Sequence, residues 1–154
     1  MTPFTTNYQP TADDLTLIAQ AEAALASAYA PYSGFHVATA LLLRNGTVVT
    51  GTNQENAAYP AGMCAERVAL FTAAAQFPGE EIRKMAIVAK RAGATSLSPA
   101  TSCGSCRQVM LEFEQRQSQP FEVIMLERPG CWLHLKSVAP LLPFSFNKSN
   151  LSEP

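Results

Sequence analysis

The chain has 154 residues, of which 47% are apolar, and a formal net charge of −1. A chain of this length can bury the core of one domain, so we expect a single domain over residues 1–154. The near-neutral charge and the absence of any run of Lys and Arg exclude a basic face for nucleic acid. Residues 1–10 lack the pattern of a signal peptide, and no apolar run approaches the roughly 18 residues that span a bilayer. We therefore expect a cytoplasmic protein that acts on a small molecule and uses neither membrane nor nucleic acid.

The first part of the chain predicts a helix followed by a β-hairpin. Thr11 and Asp14 have the spacing of a capping box, and apolar residues recur at helical spacing over about 12–29. The runs 35–43 and 47–53 have the composition of strands and flank an Asn-Gly pair, which is the strongest short hairpin signal. These two strands should be antiparallel neighbours.

The rest of the chain predicts two more helices and three more strands. Their expected bounds are 64–76 and 104–116 for the helices, and 85–90, 121–126 and 131–135 for the strands. A short Arg-Pro-Gly link forces the last two strands to pair antiparallel. The order α-β-β-α-β-α-β-β predicts an α/β fold with a five-stranded mixed sheet and helices on its faces.

Residues 137–154 form a tail that is interrupted by proline. Its apolar residues are Leu141, Leu142, Phe144 and Phe146, which are too apolar to be left in water. We expect the tail to dock on the core or on a neighbouring subunit.

Two cysteine stretches, each at a predicted helix start, point to a metal site. They are Cys64-Ala65-Glu66-Arg67 and Cys103-Gly104-Ser105-Cys106-Arg107. The C-x-x-C pair and a lone cysteine supply three zinc ligands and leave the fourth position open, which is typical of a catalytic zinc. In a reducing compartment, cysteines are more readily ligands than disulfides.

Glu66 and Arg67 follow the first ligand directly. Glu66 is the candidate proton carrier, and Arg67 is the candidate for offsetting the net charge of −1 that three thiolates and one Zn²⁺ would carry. The alternative for the cysteine pair is a redox disulfide between Cys103 and Cys106. The alternative for Glu66 is an acidic residue that only interacts favourably with the dipole of its helix. We expect Cys131 to be a buried strand residue, and the two histidines to be core or edge residues.

Asn53 and Glu55 lie two apart at the end of a strand, so an extended backbone would point both side chains to one face. An amide and a carboxylate together suit sugar hydroxyls. Taken alone, the two residues equally allow a turn start and a solvated acid.

Several motifs together resemble the cytidine deaminase family of the small, homotetrameric, three-cysteine type. They are Pro31-Tyr32-Ser33-Gly34-Phe35, Asn53-Gln54-Glu55-Asn56-Ala57, Cys64-Ala65-Glu66-Arg67, Cys103-Gly104-Ser105-Cys106-Arg107-Gln108-Val109 and Leu141-Leu142-Pro143 with Phe146. The resemblance covers about residues 12–146. It implies a three-layer α-β-α fold, one Zn²⁺ per chain and a homotetramer.

The resemblance also implies an activity and roles for individual residues. Zinc-activated water would attack C4 of cytidine or deoxycytidine and Glu66 would carry protons, so that ammonia and uridine or deoxyuridine result. Arg67 would offset the thiolate charge. The substrate-binding residues implied are Phe35 and Ala65 for the base, Asn53 and Glu55 for the ribose, and Tyr59 and Phe146 across a subunit interface.

One departure from the family pattern concerns the leaving group. Ser102 stands where the family usually has Pro, and a Ser98-Pro99 pair lies earlier, which puts the wall near the exocyclic amine in question. An alternative function within enzymes is therefore a deaminase of N4-modified cytidines or of a cytosine-bearing antibiotic. A separate alternative, outside enzymes, is a structural zinc module without turnover.

Overall fold

The computed structural model describes residues 4–151. Its strands are β1 (Phe4–Tyr8), β2 (Phe35–Leu43), β3 (Val48–Thr52), β4 (Ile82–Arg91), β5 (Glu122–Arg128) and β6 (Cys131–Leu135). Its helices are α1 (Ala12–Ala24), α2 (Ala65–Gln76) and α3 (Gly104–Arg116). Each predicted helix and strand is present. Within residues 4–151, no helix has the length and apolar character that crossing a membrane would require.

The six strands form one mixed sheet in the order β1-β6-β5-β4-β2-β3. The predicted hairpin of β2 with β3 and the antiparallel pairing of β5 with β6 are both confirmed. Neighbouring strands are antiparallel except β4 and β5, which are parallel. A parallel pair needs a crossover, and α3 provides it.

The prediction of a five-stranded sheet is wrong by one strand. The sixth strand, β1, pairs antiparallel with β6 at the edge of the sheet. Four of its five residues are exposed, so it lacks the apolar alternation by which a half-buried strand is recognised. The first helix also ends earlier than predicted, because a 3₁₀ turn at Leu25–Ser27 follows α1.

The helices lie on both faces of the sheet, and the predicted three-layer α-β-α arrangement is confirmed. Helix α1 packs on one face through Leu17 and Ile18, against small sheet residues such as Ala38 and Ala86. Helices α2 and α3 pack side by side on the other face, against the larger of the two apolar clusters. The N-termini of α2 and α3 lie close together, since the sulfurs of their N-cap residues Cys64 and Cys103 are 4.0 Å apart.

The predicted capping box starts α1. The Thr11 hydroxyl accepts from the Asp14 N–H at 3.3 Å, and the Asp14 carboxylate accepts from the Thr11 N–H at 2.9 Å. The buried Asp14 carboxylate also pairs with Lys84 of β4. Lys84 in turn lies 3.3 Å from Glu122 of β5, so one buried ion pair ties α1 to the centre of the sheet.

Gly51 of β3 sets how closely α2 approaches the sheet. A Cβ at this position would lie 2.3 Å from the Ala69 nitrogen and 2.7 Å from the Ala65 oxygen, both backbone atoms of α2. Backbone atoms cannot rotate away as a side chain would, so a larger residue would displace the helix. The absence of a side chain at Gly51 thus positions the start of α2.

We predict that Gly51→Ala destabilises the protein by at least about 1–3 kcal/mol, the range for overpacking a filled site. Urea unfolding measures this change. Thr50→Ala, on the exposed neighbour in β3, is the matched control and should cost less. Equal effects of the two substitutions would show that α2 does not depend on this close approach.

Candidate metal centre and substrate pocket

The three cysteines of the two motifs meet where α2 and α3 begin. Cys64 is the N-cap residue of α2 and Cys103 is the N-cap residue of α3, and neither side chain makes a capping hydrogen bond. Cys106 follows in the first turn of α3 and is fully buried. Both N-cap thiols are therefore free for another partner, at helix ends whose N–H groups favour negative charge.

The spacing of the sulfurs fits one tetrahedral metal. The Sγ atoms of Cys64, Cys103 and Cys106 all lie within 4.8 Å of one another, and those of Cys64 and Cys103 are 4.0 Å apart. Zinc–sulfur bonds of about 2.3 Å at tetrahedral angles place two sulfurs about 3.8 Å apart. All three cysteines are free thiols, and Cys131, also free, lies half-buried in β6 outside this cluster.

Ionisation of the cluster is uneven. The hydrogen bond from Cys106 is the largest cause that lowers the pKa of Cys64, and burial acts in the opposite direction. Hydrogen bonds from Arg67 and Cys103 lower the pKa of Cys64 further, to about 5. The pKa of Cys106 is raised by its hydrogen bond with Cys64, by burial and by the nearby Glu66 charge. Three thiolates this close repel one another unless a cation lies between them, so the donor set fits Zn²⁺.

Arg67 lies beside the cluster, one helical turn after Cys64. Its Nη2 is 3.8 Å from the Cys64 sulfur, which places a fixed positive charge next to a thiolate. The Nε of the same guanidinium is buried without a hydrogen-bond partner among residues 4–151.

Glu66 lies in the first turn of α2 and is only 4% exposed. Burial raises the pKa of its carboxyl most, and the hydrogen bond from its own backbone N–H opposes this rise. The Cys64 thiolate raises the pKa further, whereas Cys106 and Arg67 lower it by less. A carboxyl with a raised pKa can hold a proton near neutral pH and pass it on, which a solvated carboxylate does poorly.

A cavity of about 570 Å³ leads from the surface to this cluster. Its volume is in the range of small-molecule sites. Its lining includes residues at and around the cysteine cluster, namely Cys64, Ala65, Glu66, Arg67, Ile87, Ala100, Thr101 and Cys103. The rest of its lining includes Tyr32, Ser33, Phe35, Val37, Asn53, Glu55 and Tyr59.

Asn53 and Glu55 both line the cavity, and both also hold the backbone around Phe35. Asn53 accepts from the Val37 N–H at 2.8 Å and donates to the Phe35 carbonyl at 2.9 Å. Glu55 accepts from the Ser33 hydroxyl and from the Tyr32 N–H at 2.9 Å. These bonds, the one from Ser33 above all, lower the pKa of Glu55.

Sequence reasoning missed several of these neighbours. It did not place Ile87 in the cavity wall, and it gave no role to Ser33. The signal for Ser33 was available, since this residue lies inside the Pro31–Phe35 motif, but its partner is 22 residues away along the chain. Such a contact becomes visible only once the backbone is folded.

Ser102, the departure from the family pattern, is not among the residues that line the cavity. It is 3% exposed, and its N–H points to the Met125 sulfur at 3.4 Å. Ala100 and Thr101 form the cavity wall in its place. Nor is Ser102 a helix cap, because Cys103 is the N-cap residue of α3.

The comparisons with known proteins decide the family. Residues 11–119 match the family model described as the cytidine and deoxycytidylate deaminase zinc-binding region. A cytidine deaminase of Sporosarcina psychrophila is 40% identical over 136 residues, which cover 88% of this chain and 93% of that protein. The chain belongs to the cytidine and deoxycytidylate deaminase family.

Solved structures agree with this family. A cytidine deaminase from Burkholderia pseudomallei is 41% identical, with a TM-score of 0.72 over 86% of this chain and 98% of that one. A cytidine deaminase from Mycobacterium tuberculosis is 31% identical, with a TM-score of 0.65 over 89% of this chain and 99% of that one. This deaminase therefore shares both the fold and the zinc-binding region of the family, and Zn²⁺ is its cofactor.

The tail of this deaminase docks only in part on its own core. Val138 is fully buried, and Leu141 and Leu142 pack against the α2–α3 side of the sheet. Phe144 is fully exposed and Phe146 is 60% exposed. Phe146 does not line the cavity of its own chain.

We predict that the purified deaminase carries one tightly bound zinc per chain. Its three thiols form a preassembled site, and the positive charges of the described chain do not fully offset the charge of three thiolates. Elemental analysis measures the stoichiometry. Cys103→Ser should lower it, whereas Cys131→Ser, the matched control, should leave it unchanged. A zinc-free protein with a disulfide between Cys103 and Cys106 would contradict this site.

Proposed function

We propose that this chain catalyses the hydrolytic deamination of cytidine and deoxycytidine to uridine and deoxyuridine, with release of ammonia. The observation that carries the proposal is the position of Glu66, a buried carboxyl next to the cysteine cluster in the wall of a cavity of about 570 Å³. A structural zinc module would need neither a buried proton carrier nor an open cavity. Such a module would also be expected to offer a fourth protein ligand, and the described cluster has three.

In this proposal Cys64, Cys103 and Cys106 hold one Zn²⁺ per chain. When bound, the ion supplies Lewis-acid chemistry that makes water a nucleophile near neutral pH. The N-termini of α2 and α3 and the Arg67 guanidinium offset the excess negative charge of three thiolates. Arg67 acts through the Cys64 sulfur, from which it lies 3.8 Å.

Glu66 moves the protons. Its carboxylate takes one proton from the water whose oxygen bonds to C4 and delivers it to N3 of the base. It then carries the second proton of that water, from the new hydroxyl on C4, to the departing amine, and the oxygen remains as the C4 carbonyl. The raised pKa supports this role, because a carboxyl that gives up its proton less readily is a better base and remains able to return the proton. The bond from C4 to the exocyclic nitrogen breaks, and the nitrogen leaves as ammonia.

The remaining cavity residues orient the nucleoside. Phe35 packs against the base, and the Ala65 backbone, at the start of α2, meets the base edge. Glu55 accepts from ribose hydroxyls, which its lowered pKa supports because the group stays ionised. Asn53 has one amide hydrogen left after its bond to the Phe35 carbonyl, and this hydrogen donates to the ribose.

The tail supports a homotetramer in which subunits share active sites. Phe146 is exposed and lies outside the cavity of its own chain, and Tyr59 at the cavity mouth is 75% exposed. We propose that both rings are covered at an interface, where they close the pocket of a neighbouring subunit. Burying such aromatic surface would contribute to association.

We also propose a domain organisation and a cytoplasmic location for this chain. We propose one deaminase domain over residues 1–154, because β1 joins the same sheet as the other strands and the tail packs on α3. A reducing cytoplasm suits an enzyme that depends on free thiols at its metal site.

We predict that Glu66→Gln lowers kcat for cytidine by at least the roughly 10²–10⁴ that is typical of lost general acid-base catalysis. Zinc content and the fold should persist, because Glu66 is not a ligand. Glu80→Gln, on an exposed carboxylate after α2, is the control and should retain activity. A Glu66→Gln variant with near wild-type turnover would place the proton carrier elsewhere.

We predict an active tetramer by light scattering. Phe146→Ala should lower kcat/KM by up to about tenfold, because an aromatic contact is worth about 0.5–1.5 kcal/mol beyond its buried area. Phe144→Ala, which removes a more exposed ring from the same tail, is the comparison and should have a smaller effect. An active monomer, or a Phe146→Ala variant with unchanged kinetics, would contradict the shared pocket.

A further inference from the structure

The start of the C-terminal tail is held along α3 by three polar side chains of that helix. We call residues 137–146 the strap. Near the end of α3, Glu114 accepts from the Ser137 hydroxyl at 2.7 Å and from the Val138 N–H at 2.8 Å. Near its beginning, Arg107 donates to the Leu141 carbonyl at 3.2 Å and Gln108 donates to the Phe146 carbonyl at 2.9 Å. The strap therefore runs antiparallel to α3, back toward the helix start that carries two thiols of the cluster.

Arg107 binds the strap and the cysteine turn at the same time. Its Nη1 donates to the Leu141 carbonyl, and its Nε donates to the Ser102 carbonyl at 2.9 Å. Ser102 directly precedes Cys103 in the chain, so the Ser102 carbonyl belongs to the peptide group that also contains the Cys103 nitrogen. A planar guanidinium presents its donors in a fixed arrangement, which fixes the two carbonyls relative to each other.

The other polar groups of Ser102 make weak hydrogen bonds or none. Its N–H meets the thioether sulfur of Met125 at 3.4 Å, and a thioether is a weak acceptor. Its buried hydroxyl has no hydrogen-bond partner among residues 4–151. The bond from Arg107 is therefore the strongest of the described side-chain hydrogen bonds that hold the residue before Cys103.

The position of Arg107 in its helix is unfavourable without these contacts. It lies in the fourth position of α3, where the positive end of the helix dipole disfavours a cation. Among residues 4–151, no carboxylate lies within ion-pair distance of it. The two carbonyl bonds are the interactions that compensate for placing a half-buried guanidinium there.

We infer that Arg107 is a positioning residue that fixes the Cys103 turn for metal retention and transmits the docking of the strap to that turn. The inference rests on the proposed ligand set of Cys64, Cys103 and Cys106. It assigns Arg107 no contact with substrate or metal. Loss of Arg107 removes the strongest side-chain hydrogen bond to Ser102, so the Cys103 thiol is less confined and the ion departs more readily.

The test is the rate at which zinc leaves the folded protein for a chromogenic chelator, at a temperature well below the unfolding midpoint of each variant. Arg107→Met, which keeps the length of the side chain and removes its donors, should release zinc about tenfold faster, the lower end of effects seen for groups that orient metal ligands. Arg107→Lys keeps a compact ammonium donor but loses the planar guanidinium, so its rate of zinc release should lie between those of Arg107→Met and the wild type. Arg116→Met, on an exposed arginine in the last turn of the same helix, should release zinc at the wild-type rate.

A merely structural role would give a different result. In that case Arg107→Met would unfold at a lower temperature, while the folded protein would release zinc at the wild-type rate, and this outcome would overturn the inference. If Arg107→Met does not fold, the Arg107→Lys rate decides, since a rate equal to wild type would likewise overturn it.

The link to the strap is tested by a double-mutant cycle. Removing residues 141–154 should speed zinc release in the wild type and should add little in Arg107→Met, because the same connection is already broken. If the truncation and Arg107→Met each speed zinc release independently, so that their factors multiply in the combined variant, the link between the strap and the cysteine turn would be overturned. If the shortened chain does not fold, Gln108→Ala, which frees the strap at Phe146, takes its place in the cycle.

Failure of the inference can be told apart from failure of the proposed function. A wild-type protein without zinc would refute the ligand set itself. A zinc-loaded, active wild type whose Arg107→Met variant retains zinc equally well would refute only the role of Arg107.

Discussion

Mutual repulsion among three thiolates is the constraint on which the rest of the structure depends. Their sulfurs lie within 4.8 Å of one another, and ionising all three requires a cation between them and positive charge around them. The fold supplies the surrounding charge by starting two helices at the same place. Arg67 adds a guanidinium beside Cys64. Gly51 lets α2 lie directly on β3, which fixes where the first of these helices begins.

The same arrangement separates two tasks among neighbouring residues. Cys64 ends a loop and directs its thiol into the cluster, whereas Glu66 lies in the first turn of the helix and is buried in the cavity wall. Burial beside a thiolate raises the pKa of Glu66, so the environment that would hold the metal also prepares the proton carrier. The nucleoside end of the cavity is held by a different set of contacts, in which Asn53 and Glu55 brace the backbone around Phe35.

Local patterns predicted much of this molecule. The capping box at Thr11, the Asn-Gly hairpin and the antiparallel β5–β6 pair depend on residues that are near in sequence, and the structure confirms all three. The cysteine spacing likewise predicted which thiols meet. Strand β1 was missed because its side chains are exposed and carry no apolar alternation. The bond from Arg107 to the Leu141 carbonyl joins residues 34 positions apart, and no local pattern reports such a contact.

The central claim is that the protein removes the exocyclic amine of a cytosine nucleoside bound in this cavity, by a metal-dependent hydrolysis. The most direct measurement is ammonia release from cytidine, deoxycytidine and free cytosine by the zinc-loaded protein, by the protein stripped with a chelator, and by the stripped protein after zinc is restored. We expect ammonia in equal amount to uridine or deoxyuridine from the two nucleosides and much less ammonia from the free base. Release should be lost when the metal is stripped and should return when zinc is restored. Absence of ammonia release from cytidine by a folded, zinc-loaded protein would contradict it.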